Sequence, residues 1–330
     1  MNFEPSLEAL EAARTERTKA IIVNSPNNPT GAVWKPETVE AIGRWAVEHH
    51  IWIISDEIYE HLNYDDARTT YIGAAVPECR DQLLVLNGVA KTYAMPGWRV
   101  GWMVAPAEVA KAATKLQGHM TSNVANISQR AALAAVSGPL DEVYEMRKAF
   151  DVRRRAIVAA LNDIEGVYCP TPTGAFYAFA DITALLGKPL GSNGTVCATS
   201  ADFAAALLDE AHVAAVPGEA FGAPGYLRFS YALADDDRGR GHRSRFKDVG
   251  EVNRSLSPPK RERILRGVLG ALSPAPLGRL WRRFCSLSDT RFALIHPSRY
   301  YSDLAVSAMA KRSLQNVSRG ELHLGKWRNW

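Results

Sequence analysis

Short apolar runs alternate with amphipathic stretches through the first two-thirds of the chain. Residues 7–18 have helical character. Residues 20–23 form a short apolar run, and Ser25-Pro-Asn-Asn-Pro-Thr-Gly31 ends it with turn formers. Residues 36–50 carry apolar positions at helical spacing. Residues 51–54 are continuously apolar and rich in β-branching, the pattern of a strand covered on both faces. Residues 83–86 repeat that pattern, and residues 100–104 predict another short strand. Strands alternating with helices predict an α/β layered domain with a mostly parallel sheet.

A helical region over residues 107–137 comes next. A long charged helix over residues 140–162 then carries Val143, Met146, Phe150, Ile157 and Leu161 at helical spacing. Strands at 174–180, 214–216 and 226–231 surround a helix at 200–211 and predict a smaller α+β domain. The expected organisation is a domain over 1–145, a second over 146–237, and a remainder over 238–330. No internal repeat is visible.

Charge sharpens the last boundary. Residues 1–237 carry 19 Lys/Arg against 29 Asp/Glu, a net of −10, whereas residues 238–330 carry 20 against 6, a net of +14. Such asymmetry suits either a basic nucleic-acid-binding arm or sequence under different constraints. The 238–330 stretch has Pro258-Pro259, Pro274, Pro276 and no apolar period. It is expected to lack a packed core and to be a shifted or misjoined reading frame rather than a nucleic-acid arm. The chain as a whole is 47% hydrophobic and 22% charged, ordinary for a globular protein. No apolar run approaches the roughly 20 residues of a membrane span. Residues 1–19 show no secretory signal, and the four scattered cysteines make neither a zinc motif nor a disulfide framework, so a cytoplasmic location is expected.

Three loops following predicted strands carry the candidate chemistry. They are Asn28-Pro-Thr-Gly31, Ser55-Asp-Glu-Ile-Tyr59, and Gly88-Val-Ala-Lys91 with Met95-Pro-Gly-Trp-Arg-Val-Gly101. In open α/β sheets the ligand crevice lies at the carboxyl ends of the strands. Taken singly, each loop has a bland reading: a common turn, a carboxylate capping a helix, a solvated lysine. Trp34 and Trp98 read as packing residues. His49, His50 and His61 lack metal-ligand partners.

In their order, however, these loops resemble the class I/II aminotransferases that use pyridoxal 5'-phosphate (PLP). Asn87-Gly-Val-Ala-Lys91 is similar to the bacterial aspartate aminotransferase branch. Thr173-Gly-Ala-Phe-Tyr177, Val216-Pro-Gly-Glu-Ala-Phe-Gly222 and Leu227-Arg-Phe-Ser230 extend the likeness, which runs from about residue 18 to about residue 237. The resemblance implies a partial fold-type I large domain, a mostly parallel sheet with helices, plus the smaller α+β domain. It implies PLP as cofactor and Lys91 as both the Schiff-base lysine and the base of catalysis. Asp56 is implied as partner of the pyridine nitrogen, with Glu57 as the alternative. Tyr59 and Asn28 are implied as donors to the ring oxygen, Arg99 as a phosphate clamp, and Arg228 as the clamp of the substrate α-carboxylate, with a structural salt bridge as the rival role. The implied partners are amino-acid and 2-oxo-acid substrates and a second copy of the chain in a homodimer, with no membrane and no nucleic acid.

The resemblance also implies about 150 further residues ahead of Met1 in the family, holding a phosphate-binding turn, a ring-stacking aromatic and a tyrosine given across the dimer. The expected activity is transfer of an amino group from aspartate or another amino acid to a 2-oxo acid, with this chain as written expected to bind PLP weakly and to be a poor or inactive transaminase. The alternatives are a non-catalytic fragment and a PLP lyase of the same fold.

Overall fold

The computed structural model describes residues 3–190 and 194–233. The basic stretch over 238–330 lies outside the described residues. The described chain forms two units. One comprises residues 4–26 and 33–144; the other comprises residue 3, residues 27–32 and residues 145–233.

The first unit begins with α1 (Leu7–Ala13), whose N-terminus is capped by Ser6, with its hydroxyl accepting from the Ala9 amide at 3.2 Å. β1 (Ala20–Asn24) leads through the turn segment to α2 (Pro36–Glu48). Pro36 opens α2 where a missing N–H costs nothing. Val39, Ile42, Gly43, Trp45 and Ala46 form its buried stripe. Gly43 is required: a Cβ there would stand 2.8 Å from Val76 Cγ2. β2 (Trp52–Asp56), the single-turn α3 (Ile72–Ala75), β3 (Leu83–Gly88) and β4 (Gly101–Val104) follow, then α4 (Ala107–Met120) and α5 (Asn126–Ser137).

The sheet order is β1-β2-β3-β4, with β1, β2 and β3 parallel and β4 antiparallel to β3. Asp56 is the last residue of β2, level with Asn24 on β1 and Leu86 on β3. One face is packed by α2: Val23, Ile53 and Val85 join Val39, Ile42 and Trp45 in a common core. The opposite face is less covered among the described residues, and Ile22 is 69% exposed. The apolar runs at 51–54 and 83–86 are therefore strands, as their pattern predicts, but closely packed on one side.

α6 (Asp141–Asn162) carries the chain from the first unit into the second. Its buried positions, Val143, Met146, Phe150, Arg154 and Val158, recur at helical spacing. Arg154 takes an otherwise apolar slot and is 0% exposed. Its guanidinium is satisfied by the Asp151 carboxylate at 2.5 and 2.8 Å and by the Pro172 carbonyl at 2.7 Å. A buried charge persists only when paired this fully.

The second unit continues with β5 (Tyr177–Asp181), a two-stranded pair β6 (Pro189–Leu190) and β7 (Thr195–Val196), α7 (Ser200–Ala211), β8 (Val216–Pro217) and β9 (Tyr226–Ser230). α7 starts with a reciprocal cap: Thr199 accepts from the Asp202 amide, and Asp202 accepts from the Thr199 amide. β5, β9 and β8 form an antiparallel sheet in that order. Phe203 and Leu207 of α7 share a buried cluster with Leu227 of β9 and with Ile182, just after β5.

Candidate active site

The sequence-predicted residues fall into two clusters, one in each unit. The first is built at the carboxyl ends of β2 and β3. Asp56 closes β2, and its Oδ1 accepts the Ile58 amide at 3.2 Å, a carboxylate-stabilised turn rather than a helix cap. Burial raises the Asp56 pKa; the Ile58 hydrogen bond and the charge of Lys91 oppose that rise. Asp56 and Lys91 are thus electrostatic partners. β3 ends at Gly88, and Lys91 lies in the turn after it, where the Ala94 amide donates to the Lys91 carbonyl. Thr92, beside Lys91, donates to the Ile58 carbonyl at 3.3 Å and so ties the two turns together.

Asp56 and Glu57 are sorted by the alternation of the strand. Asp56 shares the less covered side with Trp52 and Ile54, while Glu57 is 4% exposed and accepts from Ser55 Oγ at 3.0 Å. Burial, together with the neighbouring carboxylates of Glu60 and Asp56, pushes Glu57 up to about 8 despite the Ser55 bond. Tyr59 is buried directly after this turn. Arg99 is exposed, in a left-handed backbone conformation, and one Nη donates to the Pro96 carbonyl at 3.0 Å. A guanidinium carries five donors, so most of its fork is open to an anion.

Glu60 and Asn87 belong to this cluster although sequence reasoning did not select them. Glu60 is 7% exposed. Its carboxylate accepts from Asn87 Nδ2 at 2.7 Å and from the Tyr71 hydroxyl at 3.1 Å, with His61 Nε2 at 3.8 Å. The Glu60 carbonyl accepts from Asn63 and Thr69. The only sequence signal was adjacency: Glu60 follows Tyr59, and Asn87 begins the Asn-Gly-Val-Ala-Lys stretch. The remaining histidine readings stand as ordinary contacts, His49 lying 3.4 Å from Glu11. Trp34 and Trp98 pack against hydrophobic clusters.

The second cluster joins Asn28 and Arg228. Arg228 sits on β9, paired with Phe179 on β5 and Val216 on β8. Its Nη1 donates to Asn28 Oδ1 at 2.7 Å. Its guanidinium carbon lies 4.7 Å from the Tyr177 ring centre and 5.0 Å from that of Phe221. Among the described residues no carboxylate pairs with it, and its buried Nε makes no hydrogen bond. A structural salt bridge, the rival role, is absent from the described residues. Gly31 holds Asn28 in this place. Its carbonyl accepts from the Thr173 and Gly174 amides at 2.9 and 2.8 Å, and its φ is +69°. A Cβ on Gly31 would stand 2.4 Å from Pro172 Cβ and 2.8 Å from the Tyr177 carbonyl oxygen. Gly31→Ala is therefore expected to cost about 2–4 kcal/mol, from the left-handed backbone and the clash combined. A urea midpoint unchanged from the parent chain would contradict that.

Among the described residues there is no group of His, Cys, Asp and Glu able to hold a metal ion, and no helix is long and apolar enough to cross a membrane. Cys79, Cys169 and Cys197 are buried thiols.

The chain as a whole is similar to known proteins. An aspartate aminotransferase of Streptomyces avermitilis is 58% identical over 258 residues, covering 78% of this chain and 61% of that protein. One from Geobacillus stearothermophilus is 44% identical over 238 residues, covering 71% and 58%. The crystal structure of the Rhizobium meliloti aspartate aminotransferase superposes with a TM-score of 0.67 at 36% identity, covering 82% of this chain and 62% of that one. The chain thus spans about three-fifths of the length of these relatives, and it has the expected partial fold-type I architecture with a smaller α+β part. The family model for aminotransferase class I and II matches residues 1–240, and the chain belongs to that family.

Proposed function

We propose that this chain carries the PLP-binding and carboxylate-binding residues of an aspartate-type aminotransferase, moving an amino group from aspartate or glutamate to a 2-oxo acid. The observation that carries the reading is that Asp56 closes β2 while Lys91 follows the end of the neighbouring parallel β3, with the Thr92–Ile58 bond tying the two turns. The donor set fits the cofactor. An amine suits its aldehyde, and a half-buried carboxylate suits the protonated ring nitrogen. Hydroxyl and amide donors suit the ring oxygen, and a guanidinium fork suits the phosphate.

When bound, PLP supplies the electron sink that makes the substrate Cα–H acidic. Lys91 would hold the cofactor through its amine, and the same amine, once free, would be the base that moves the substrate Cα proton. Asp56 would hold a proton on the ring nitrogen, and the charge of Lys91 favours the ionised form of Asp56. Tyr59 and Asn28 would be the donors to the ring oxygen, and Arg99 would bind the phosphate. Arg228 binds the α-carboxylate; its unused Nε and planar fork support this role, and the Asn28 bond orients it. A homodimer in a cytoplasmic setting completes the reading.

The test is the half-reaction with L-aspartate at saturating PLP, using Lys91→Ala as control. The expected products are oxaloacetate and aminated cofactor without ammonia, in single-turnover amounts. Ammonia release would favour the lyase, and no Lys91-dependent product would remove the aminotransferase reading. In the same assay, Arg228→Lys is expected to raise the half-saturating aspartate concentration about tenfold, because a point charge does not reproduce the fork. An unchanged value would exclude the clamp.

A further inference from the structure

Lys91 sits in a turn, and a turn alone does not fix an amine to a fraction of an ångström. The nearest rigid feature is the end of β3, where Asn87 is the last residue but one. Its side chain is committed in both directions: Nδ2 donates to Glu60 Oε1 at 2.7 Å, and Oδ1 accepts from the Gly88 amide at 2.7 Å. Glu60 is itself anchored. Tyr71 donates to its carboxylate at 3.1 Å, and Asn63 and Thr69 donate to its carbonyl at 2.8 and 2.9 Å. Asn87 and Glu60 are both buried, so solvent does not replace either partner if the bond is lost. Glu60 lies four residues after Asp56, and Lys91 lies four residues after Asn87. The Glu60–Asn87 bond therefore joins the segment that bears Asp56 to the segment that bears Lys91. The Thr92–Ile58 bond makes a second, weaker tie between the same segments.

We propose that the buried Glu60–Asn87 hydrogen bond is a pin that sets the position of Lys91 relative to Asp56, making Glu60 and Asn87 positioning residues. Neither touches the reacting atoms. Their contribution is to present the Lys91 amine in one place, which matters because small misplacements of a reacting group cost large factors in rate. The proposal rests on the reading of Lys91 as the PLP-capturing lysine, and one arm of its test does not.

The experiment uses the full chain and four variants. Asn87→Asp keeps the acceptor for the Gly88 amide but removes the donor to Glu60. Asn87→Ser removes that donor without adding charge, and serves if Asn87→Asp does not fold. Glu60→Gln keeps an acceptor for Asn87. The double variant Glu60→Gln with Asn87→Asp reverses the polarity of the bond: the new glutamine donates to the new carboxylate. Two quantities are read: the rate of PLP capture with the share of borohydride-fixed label on Lys91, and amide exchange over residues 88–91 without PLP.

Asn87→Asp and Asn87→Ser are expected to slow capture by about tenfold or more and to spread label to other lysines. They should also speed exchange at 88–91. Glu60→Gln should stay within about threefold of the parent, and the double variant should recover most of what Asn87→Asp loses. Capture and labelling unchanged in the Asn87 variants would overturn the proposal. So would a double variant no better than Asn87→Asp, because loss of the bond would then not be the cause. If the parent chain captures no PLP at Lys91, the reading of Lys91 fails. The exchange rates then judge the pin alone: unchanged exchange in the Asn87 variants overturns it, and faster exchange reversed by the double variant supports it.

Discussion

Glu57→Gln is expected to remove a pH-dependent loss of stability on the order of 3–5 kcal/mol. Burial and the nearby Glu60 carboxylate raise the Glu57 carboxyl from 4.5 to about 8 in the folded state. The folded chain therefore binds this proton more tightly than the unfolded chain between those values. Stability from the neutral form is fully present below pH about 4.5 and is lost as pH rises through about 8. Glutamine preserves the acceptor for Ser55 Oγ, whose bond is 3.0 Å long, and has no proton to lose. The measurement is the urea stability of parent and variant from pH 5 to 9. The expected result is a difference in favour of the variant that widens with pH. Parallel profiles would show that Glu57 ionises in the folded protein at no cost.

Lys91→Ala is expected to have the largest effect on chemistry. In the proposed role of Lys91, it would remove both the amine that holds the cofactor and the base that moves the substrate Cα proton. Loss of a positioned general base costs about 10²–10⁴ in rate, and loss of covalent capture should be complete. Stability should move little, because Lys91 lies in a turn outside the hydrophobic clusters. The check is the rate of aspartate-dependent spectral change at saturating PLP, with urea unfolding alongside. A variant within a few fold of the parent rate would show that another group moves the proton.

What the sequence made legible was periodic or local. The β-branched run before Asp56 and the stripe from Val39 to Ala46 each produce one element with one buried side, so the pattern alone locates them. The long helix is predicted within a residue of its start for the same reason. The spacing from Lys91 to Arg99 is local, since the one connection between β3 and β4 holds both. Other features depend on contacts distant in sequence. β5 begins at Tyr177 rather than near Gly174 because Thr173 and Gly174 donate to Gly31, more than 140 residues earlier. Residues 27–32 cluster with residues 145–233 for the same reason, which no reading of chain order reveals. Arg154 occupies an apolar slot on α6 because Pro172 and Asp151 satisfy it. Glu60 and Asn87 meet across two strand ends and carry no period at all. Arg228 was visible as a motif, but its contact with Asn28 was not.

Borohydride reduction determines whether Lys91 captures PLP beside Asp56. The lysine amine condenses with the cofactor aldehyde with loss of water, and hydride reduction of the resulting C=N leaves a stable secondary amine. The chain is mixed with PLP, reduced, digested and mapped by mass spectrometry, with Asp56→Ala in parallel. The label is expected on the peptide containing Lys91, with a marked fall in labelling when Asp56 is lost. Label spread over surface lysines, or confined to a lysine other than Lys91, would contradict it.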